Sequence, residues 1–267
     1  MFDITAITAT PLYNLHTHTQ FCDGHAPMNQ FVDAAIELGF TTLGFSPHSP
    51  INTESTCNMT TESVAEYLNE IQRLRSLSGP RLRILAGMEI DFTGEQGPAD
   101  GYFRRLPLDY RIGSIHFIPS LTEPETLVDI DGKFENFEKK MARYFDGDIE
   151  WVVRTYFARA VEMLSRGGFD IVGHCDKIAL NAGLYRAGID SEPWFTTLVN
   201  DLLDAALDYG YIIEINTKAY ERYHRFFPDE RYFARLRRQQ ARLVVNSDAH
   251  DPNLLNASRQ IAIDLLA

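Results

Sequence analysis

The chain has 267 residues, of which 45% are apolar and 23% charged, enough to bury a large core and too apolar for a disordered segment. An α/β barrel commonly reaches this length as one domain, so a single domain over residues 1–267 is the expectation. A formal net charge of -12 with no basic stripe argues against nucleic acid as a partner, because phosphate backbones are held by Lys and Arg clusters.

No apolar run is long enough to span a bilayer, and Met1 to Thr10 lacks a basic segment followed by an apolar one. A cytoplasmic protein with no membrane partner is the reading. Cys22, Cys57 and Cys175 show no paired spacing, which fits a reducing compartment, and Cys22 and Cys175, each next to a suspected ligand, are read as small buried residues rather than ligands.

Short runs rich in Val, Ile and Leu alternate with amphipathic stretches, the pattern of βαβ units around a parallel sheet. The first predicted strand, Tyr13 to Thr17, is followed by a helix over Asn29 to Leu38, and a second strand, Thr42 to Ser46, by a helix over Glu62 to Leu77. Strands at Leu82 to Gly87 and Tyr110 to His116 precede helices at Phe134 to Tyr144 and Glu150 to Ser165. Strands at Asp170 to His174, Tyr211 to Asn216 and Arg242 to Ser247 alternate with helices at Pro193 to Tyr209, Asp229 to Gln239 and a last one from Pro252. Gly79-Pro80, Gly167-Gly168 and Gly210 stand where helices are expected to stop. Two segments break the rhythm, Asn52 to Asn58 and Phe92 to Leu106, and both read as substrate-gating loops because they follow strand ends.

Six of the eight histidines stand just past predicted strands, with three carboxylates in similar places. His16 and His18 are at i and i+2, where side chains share a face, and Asp23 returns in a turn allowed by Gly24. His48 is fixed in direction by Pro47 and Pro50, and Glu89 has two oxygens with which to bridge two cations. Asp91 is expected on the face opposite Glu89, or behind the ligands. His116 and His174 add one imidazole each, and Asp248 with His250 closes the set after the last strand. First and last strands are neighbours in a closed barrel, so one polynuclear site and metal-assisted hydrolysis are the expectation. His25 and His224 fall outside this pattern and read as surface residues.

The motifs His-Thr-His with Phe-Cys-Asp-Gly, Pro-His-Ser-Pro, Gly-Met-Glu-Ile-Asp-Phe, Gly-Ser-Ile-His-Phe, Gly-His-Cys-Asp-Lys, Glu-Ile-Asn and Asn-Ser-Asp-Ala-His run from His16 to His250 in one order. In this they resemble the PHP family, in particular its histidinol-phosphate phosphatases. The resemblance implies a distorted (β/α)7 barrel with three divalent metals (Zn, Fe or Mn) at its C-terminal mouth. By motif, one metal takes His16, His18, Glu89 and Asp248, a second Glu89, His116 and His174, and the third Asp23, His48 and His250. It further implies hydrolysis of L-histidinol phosphate, in histidine biosynthesis, by a metal-bridging hydroxide, with Glu89, Asp248 and His250 at the reacting centre.

A phosphate dianion suits the positive charge left at such a mouth, and Arg154, Lys177 and Lys218 are the basic residues placed to bind it. The partner is then a small phosphate monoester. Three other readings stay open: a related phosphoesterase acting on another small phosphate, an amidohydrolase-type enzyme, and a metal-stabilised binding module. Glu89 at the bridging place disfavours the second, which often uses a carbamylated lysine.

Overall fold

The computed structural model describes residues 2–267. Its Val- and Ile-rich runs form parallel strands because both of their faces are covered, one by the barrel interior and the other by helices. In chain order these strands are β1 (Tyr13–Asn14), β2 (Thr42–Phe45), β3 (Arg83–Ala86), β4 (Glu89–Asp91) and β5 (Ile112–Ser114). There follow β6 (Phe117–Pro119), β7 (Leu127–Asp129), β8 (Ile171–Val172), β9 (Ile212–Asn216) and β10 (Leu243–Asn246).

The seven expected strands are present, with the third broken at Gly87-Met88 into β3 and β4. β3 pairs with β2 in a sheet of order β1-β2-β3, and β4 pairs with β5 in a sheet of order β10-β9-β8-β5-β4. Parallel bridges His48↔Glu89 and Thr17↔Ala249 continue the pairing across the two gaps, the second joining the exits of the first and last strands. The barrel is therefore closed but distorted.

Most helices named from periodicity form within a few residues of their expected limits: Met28–Glu37, Ser63–Ser78, Phe134–Tyr144, Ile149–Arg166, Pro193–Asp208 and Phe233–Arg238. The last, expected from Pro252, begins only at Arg259 and runs to Leu266, after a 3₁₀ turn at Pro252–Leu254. The glycines do stop them, with Gly79, Gly167 and Gly210 at φ 55°, 72° and 74°. Several elements escape the sequence pattern. The antiparallel hairpin β6–β7 sits between the fourth barrel strand and its helix, the short helix Ile178–Tyr185 follows the exit of β8, and Thr5–Thr8, Gly101–Arg105 and Tyr220–Tyr223 are further short helices.

The interior is divided along its axis. Ile4, Ile7, Tyr13, Leu15, Leu85, Tyr110, Ile112, Ile171, Ile212 and Val244 form one apolar cluster. Gly44 and Gly87 make room for Tyr110, since a Cβ at either would lie 2.3 Å from its ring or hydroxyl. The Tyr110 hydroxyl donates to Leu15 O at 2.6 Å. Toward the strand exits the same inward positions change character: Ile212 is followed two residues on by Glu214 and then Asn216, and Val244 by Asn246. The intervening Ile213, Ile215 and Val245 pack outward on the helices.

Candidate metal centre

The polar half of the interior holds the nine predicted ligand residues. Glu89, fully buried at the start of β4, is the hub. Its Oε1 lies 2.7 Å from His174 Nε2 and 3.6 Å from His116 Nε2. Its Oε2 lies 3.2 Å from His16 Nε2, 3.1 Å from His48 Nδ1 and 3.5 Å from His18 Nε2. Asp248 Oδ1 stands 3.0 Å from His18 Nε2 and 3.8 Å from His16 Nε2. Asp23 completes the set on the open side, 3.2 Å from His18 Nδ1, 3.3 Å from His250 Nε2 and 3.9 Å from His48 Nε2. Asp248 reaches its place through a left-handed turn at φ 51°, a conformation that Asp tolerates better than most residues.

Buried lone pairs without partners indicate what the cage is for. His16 Nε2, His18 Nε2, His48 Nδ1, His116 Nε2, Asp23 Oδ1 and Glu89 Oε2 are all buried with no hydrogen bond. Unpaired polar atoms at this density are rare in proteins unless an ion or water takes them. Imidazole nitrogens and carboxylate oxygens are donors suited to Zn, Fe or Mn, so the residues fit a metal centre. Four overlapping groups have ligand atoms close enough to share an ion: His18, Asp23, His48 and His250; His16, His174 and Asp248; His16, His18 and Glu89; His48, Glu89 and His116. The grouping departs from the expected partition at three residues. His18 joins Asp23, His48 and His250, His48 also faces Glu89 and His116, and His174 also gathers with His16 and Asp248.

Electrostatics point the same way. Burial opposes charge on Glu89, yet His16, His48 and His116 outweigh it and hold the carboxyl well below its ordinary range. Asp248 is likewise depressed against burial, chiefly by Lys218 and His16. Burial lowers His48 to about 3 and, with His18 and Lys218, His250 to about 4, which leaves them neutral and able to donate a lone pair. Burial also works against charge on His16, but Glu214, Asp248 and Glu89 overcome it and raise the imidazole to about 10. That carboxylate field invites positive charge.

Two carboxylates stand behind the ligand-type residues. Asp91 takes one of its two expected places, behind them rather than at the surface, but on the Glu89 face and not the opposite one, because residues two apart on a strand share a face; its Oδ1 lies 2.6 Å from His116 Nδ1. Glu214, whose Oε1 lies 2.7 Å from His16 Nδ1, is hidden inside an isoleucine-rich strand. The available signal is the cost of burying an acid there without a partner.

The three basic residues separate. Lys218 lines the cleft at the mouth, its Nζ 3.2 Å from both Asp248 Oδ1 and His250 Nε2. Lys177 is engaged internally, 2.8 Å from Asp131 Oδ2 and 3.9 Å from Asp248 Oδ2. Asp131 is a cleft residue that no motif indicated. Arg154 is a correction: it is exposed on the helix Ile149–Arg166, bound to Glu150 at 2.6 Å and 4.6 Å above the Trp194 ring, and it does not line the cleft. Helical periodicity places it on an outer face.

The cleft has a volume of about 620 Å³ and opens beside Asp23, His48, His116 and His250. Residues 54–58 supply one wall, as expected of that loop, whereas Phe92 to Leu106 contributes none. Its place is taken by the β6–β7 hairpin with Lys140 and Tyr144. Cys175 is the small buried residue expected, whereas Cys22 is only half-buried; Cys57 lines the cleft. His25 and His224 are exposed, as read.

A closed parallel α/β barrel whose strand exits converge on a cage of buried imidazoles and carboxylates is a metal-binding barrel of the hydrolase type. The PHP domain model matches residues 14–218, and the chain belongs to the PHP family. A curated relative from Deinococcus radiodurans, named "Probable histidinol-phosphatase", is 28% identical over 250 residues, covering 91% of this chain and 88% of the relative. A solved structure from Listeria monocytogenes matches with a TM-score of 0.82 at 19% identity, covering 93% of this chain and 99% of that one. Another, histidinol phosphate phosphatase from Lactococcus lactis complexed with zinc, L-histidinol and phosphate, matches with a TM-score of 0.70 at 18% identity, covering 95% and 92%. These two likenesses establish the fold. Among the described residues no helix is long and apolar enough to cross a membrane.

Proposed function

We propose that residues 1–267 form one barrel domain acting as a phosphomonoesterase that converts L-histidinol phosphate and water to L-histidinol and phosphate, a step of histidine biosynthesis. The observation that carries this reading is the set of buried, unpartnered nitrogen and oxygen atoms opening onto a cleft that holds one exposed ammonium, Lys218. Relatives named histidinol-phosphatase across nearly the whole chain support the choice of substrate.

Three divalent ions fit the number and overlap of the donor groups, with Zn, Fe and Mn all compatible. When bound they supply Lewis acidity and bring water ionisation toward neutral pH. The protein does the rest. Glu89 offers one oxygen to His174 and His116 and the other to His16, His18 and His48, so a single carboxylate ties the groups together. Asp248 and His250 bring the last strand's donors to the cleft side. Lys218 sets a fixed positive charge beside them, where it would bind phosphate oxygens. The hairpin and the residue 54–58 loop wall the reacting groups from bulk water.

The test is phosphate release from L-histidinol phosphate and from a panel of other small phosphomonoesters, with protein loaded separately with Zn, Mn and Fe. A kcat/KM of about 10⁴ M⁻¹s⁻¹ or more for L-histidinol phosphate alone is the expected result. Weak turnover spread across the panel would overturn the substrate and leave a related phosphoesterase.

A further inference from the structure

The nine ligand-type residues are not equally supported from behind. Glu214 is fully buried, and every acceptor position of its carboxylate is used. Oε1 accepts from His16 Nδ1 at 2.7 Å and from Asn246 Nδ2 at 2.9 Å, and Oε2 accepts from the His174 backbone N–H at 2.8 Å and from Asn216 Nδ2 at 3.1 Å. An ionised carboxylate can only accept, so Nδ1 of His16 carries a proton, and Nε2, facing Glu89, is the nitrogen that would give its lone pair to an ion in exchange for a proton. Asn216 in turn donates to Asp248 Oδ2 at 3.2 Å, and the side-chain Oδ1 of Asn246 accepts from Leu15 N at 2.9 Å, just before His16. One side chain thus sets donors that arrive on the first strand, on β8 and after β10. Asp91 does the same for His116 on the other side, while its second oxygen is held by Asn58 Nδ2 at 2.7 Å.

The open side lacks this support. His250 Nδ1 is hydrogen-bonded to the neutral carbonyl of Asp248 at 3.0 Å, with the Asp248 carboxylate no nearer than 3.5 Å, and its Nε2 has the Lys218 ammonium 3.2 Å away. Its neighbours Asp23 and His48 have side chains 25% and 10% exposed, against 1% or less for His16, Glu89 and Asp248. Carboxylate backing raises the basicity of a ligating imidazole and fixes its orientation, and an adjacent ammonium repels a divalent ion.

Resting on the metal reading above, we propose that the centre is graded: Glu214 and Asp91 are positioning residues that make the inner positions tight, and the position formed by Asp23, His48 and His250 exchanges its ion. The inner ions stay with the protein, and the outer one comes and goes through the cleft.

Zinc titrated into chelator-stripped protein, in competition with a chromophoric chelator, reads this directly. The expected result is two affinity classes at least tenfold apart, the weaker holding one ion. Glu214→Gln places an amide NH₂ against two of the four donors, and should weaken the tight class by about 10–100-fold without moving the weak one. Asp91→Asn should act on the tight class in the same direction and covers the case in which Glu214→Gln does not fold. Lys218→Met should tighten the weak class, and the tight class by less, since the ammonium also touches Asp248. In ¹⁵N spectra of the imidazoles of zinc-loaded protein, His16 should report an Nδ1–H tautomer in the wild type and lose it in Glu214→Gln. A single affinity class, or a Glu214→Gln variant that is folded and binds zinc like the wild type, overturns the proposal. Protein that binds no zinc overturns instead the metal-dependent function.

Discussion

The two ends of the barrel interior are built on the same strands with opposite chemistry. On β9, Ile212 and Glu214 point inward two residues apart, one into the apolar cluster with Tyr110 and the other against His16, a ligand-type residue of the candidate centre. The lower end gains its stability from removing methyl and ring surface from water, and tolerates no charge. The upper end gathers carboxylates and imidazoles that leave lone pairs unsatisfied, a cost that the lower end and the helices offset. A parallel barrel allows this division because every strand exit faces one mouth.

The sharpest way to break the comparison is at the upper end. Asp248→Asn keeps the volume but removes a charge shared by His16, His18 and Lys218. Turnover of L-histidinol phosphate should fall by about 10³-fold, the equivalent of roughly 4 kcal/mol, while the far-ultraviolet circular dichroism spectrum stays that of the wild type. Near-wild-type turnover would falsify the placement of the reacting centre. The matching change at the lower end is Ile212→Ala. It should cost about 2–5 kcal/mol of stability in urea unfolding and leave the bound metal per chain unchanged. Loss of metal there would mean that the two ends are not independent.

Smaller effects sharpen the picture of the cleft. Lys218→Ala should raise KM for the phosphomonoester by about tenfold, close to 1.4 kcal/mol, because it removes the ammonium at the mouth. An unchanged KM would remove Lys218 from phosphate binding. Smallest is Arg154→Ala, for which both kcat and KM should remain within about twofold of wild type, since an exposed helical ion pair contributes about 0.3–0.5 kcal/mol. A large rise in KM would restore Arg154 to the site and contradict its place on the outer helix face.

Much of the centre is legible in the chain itself because its ligands lie beside strand exits, where period-two alternation and the rule of a common mouth locate them. His16, His18, Glu89 and Asp248 need no more than that. The supporting residues are harder to see. Glu214 looks like an interruption of an isoleucine run until its four donors, from the first strand, β8, β9 and β10, are brought around it. Asp91 falls on the same face as Glu89 once the two-residue period of β4 is counted, and so behind His116 rather than away from it. The hairpin β6–β7 is absorbed into a long connection, since strands of three residues carry too little pattern to stand out.

Sequence alone determined the alternation of strands and helices, the helix limits near their glycines, and the identity of the ligand-type residues, because each depends on periodicity or on neighbours along the chain. Tertiary structure alone decided which donors share a group, that Arg154 faces away while Lys218 faces the cleft, and that Glu214 stands behind the ligands and Asp131 beside the cleft. Those facts rest on distances between residues far apart in the chain: 198 positions separate His16 from Glu214, and no local signal carries a contact across that span.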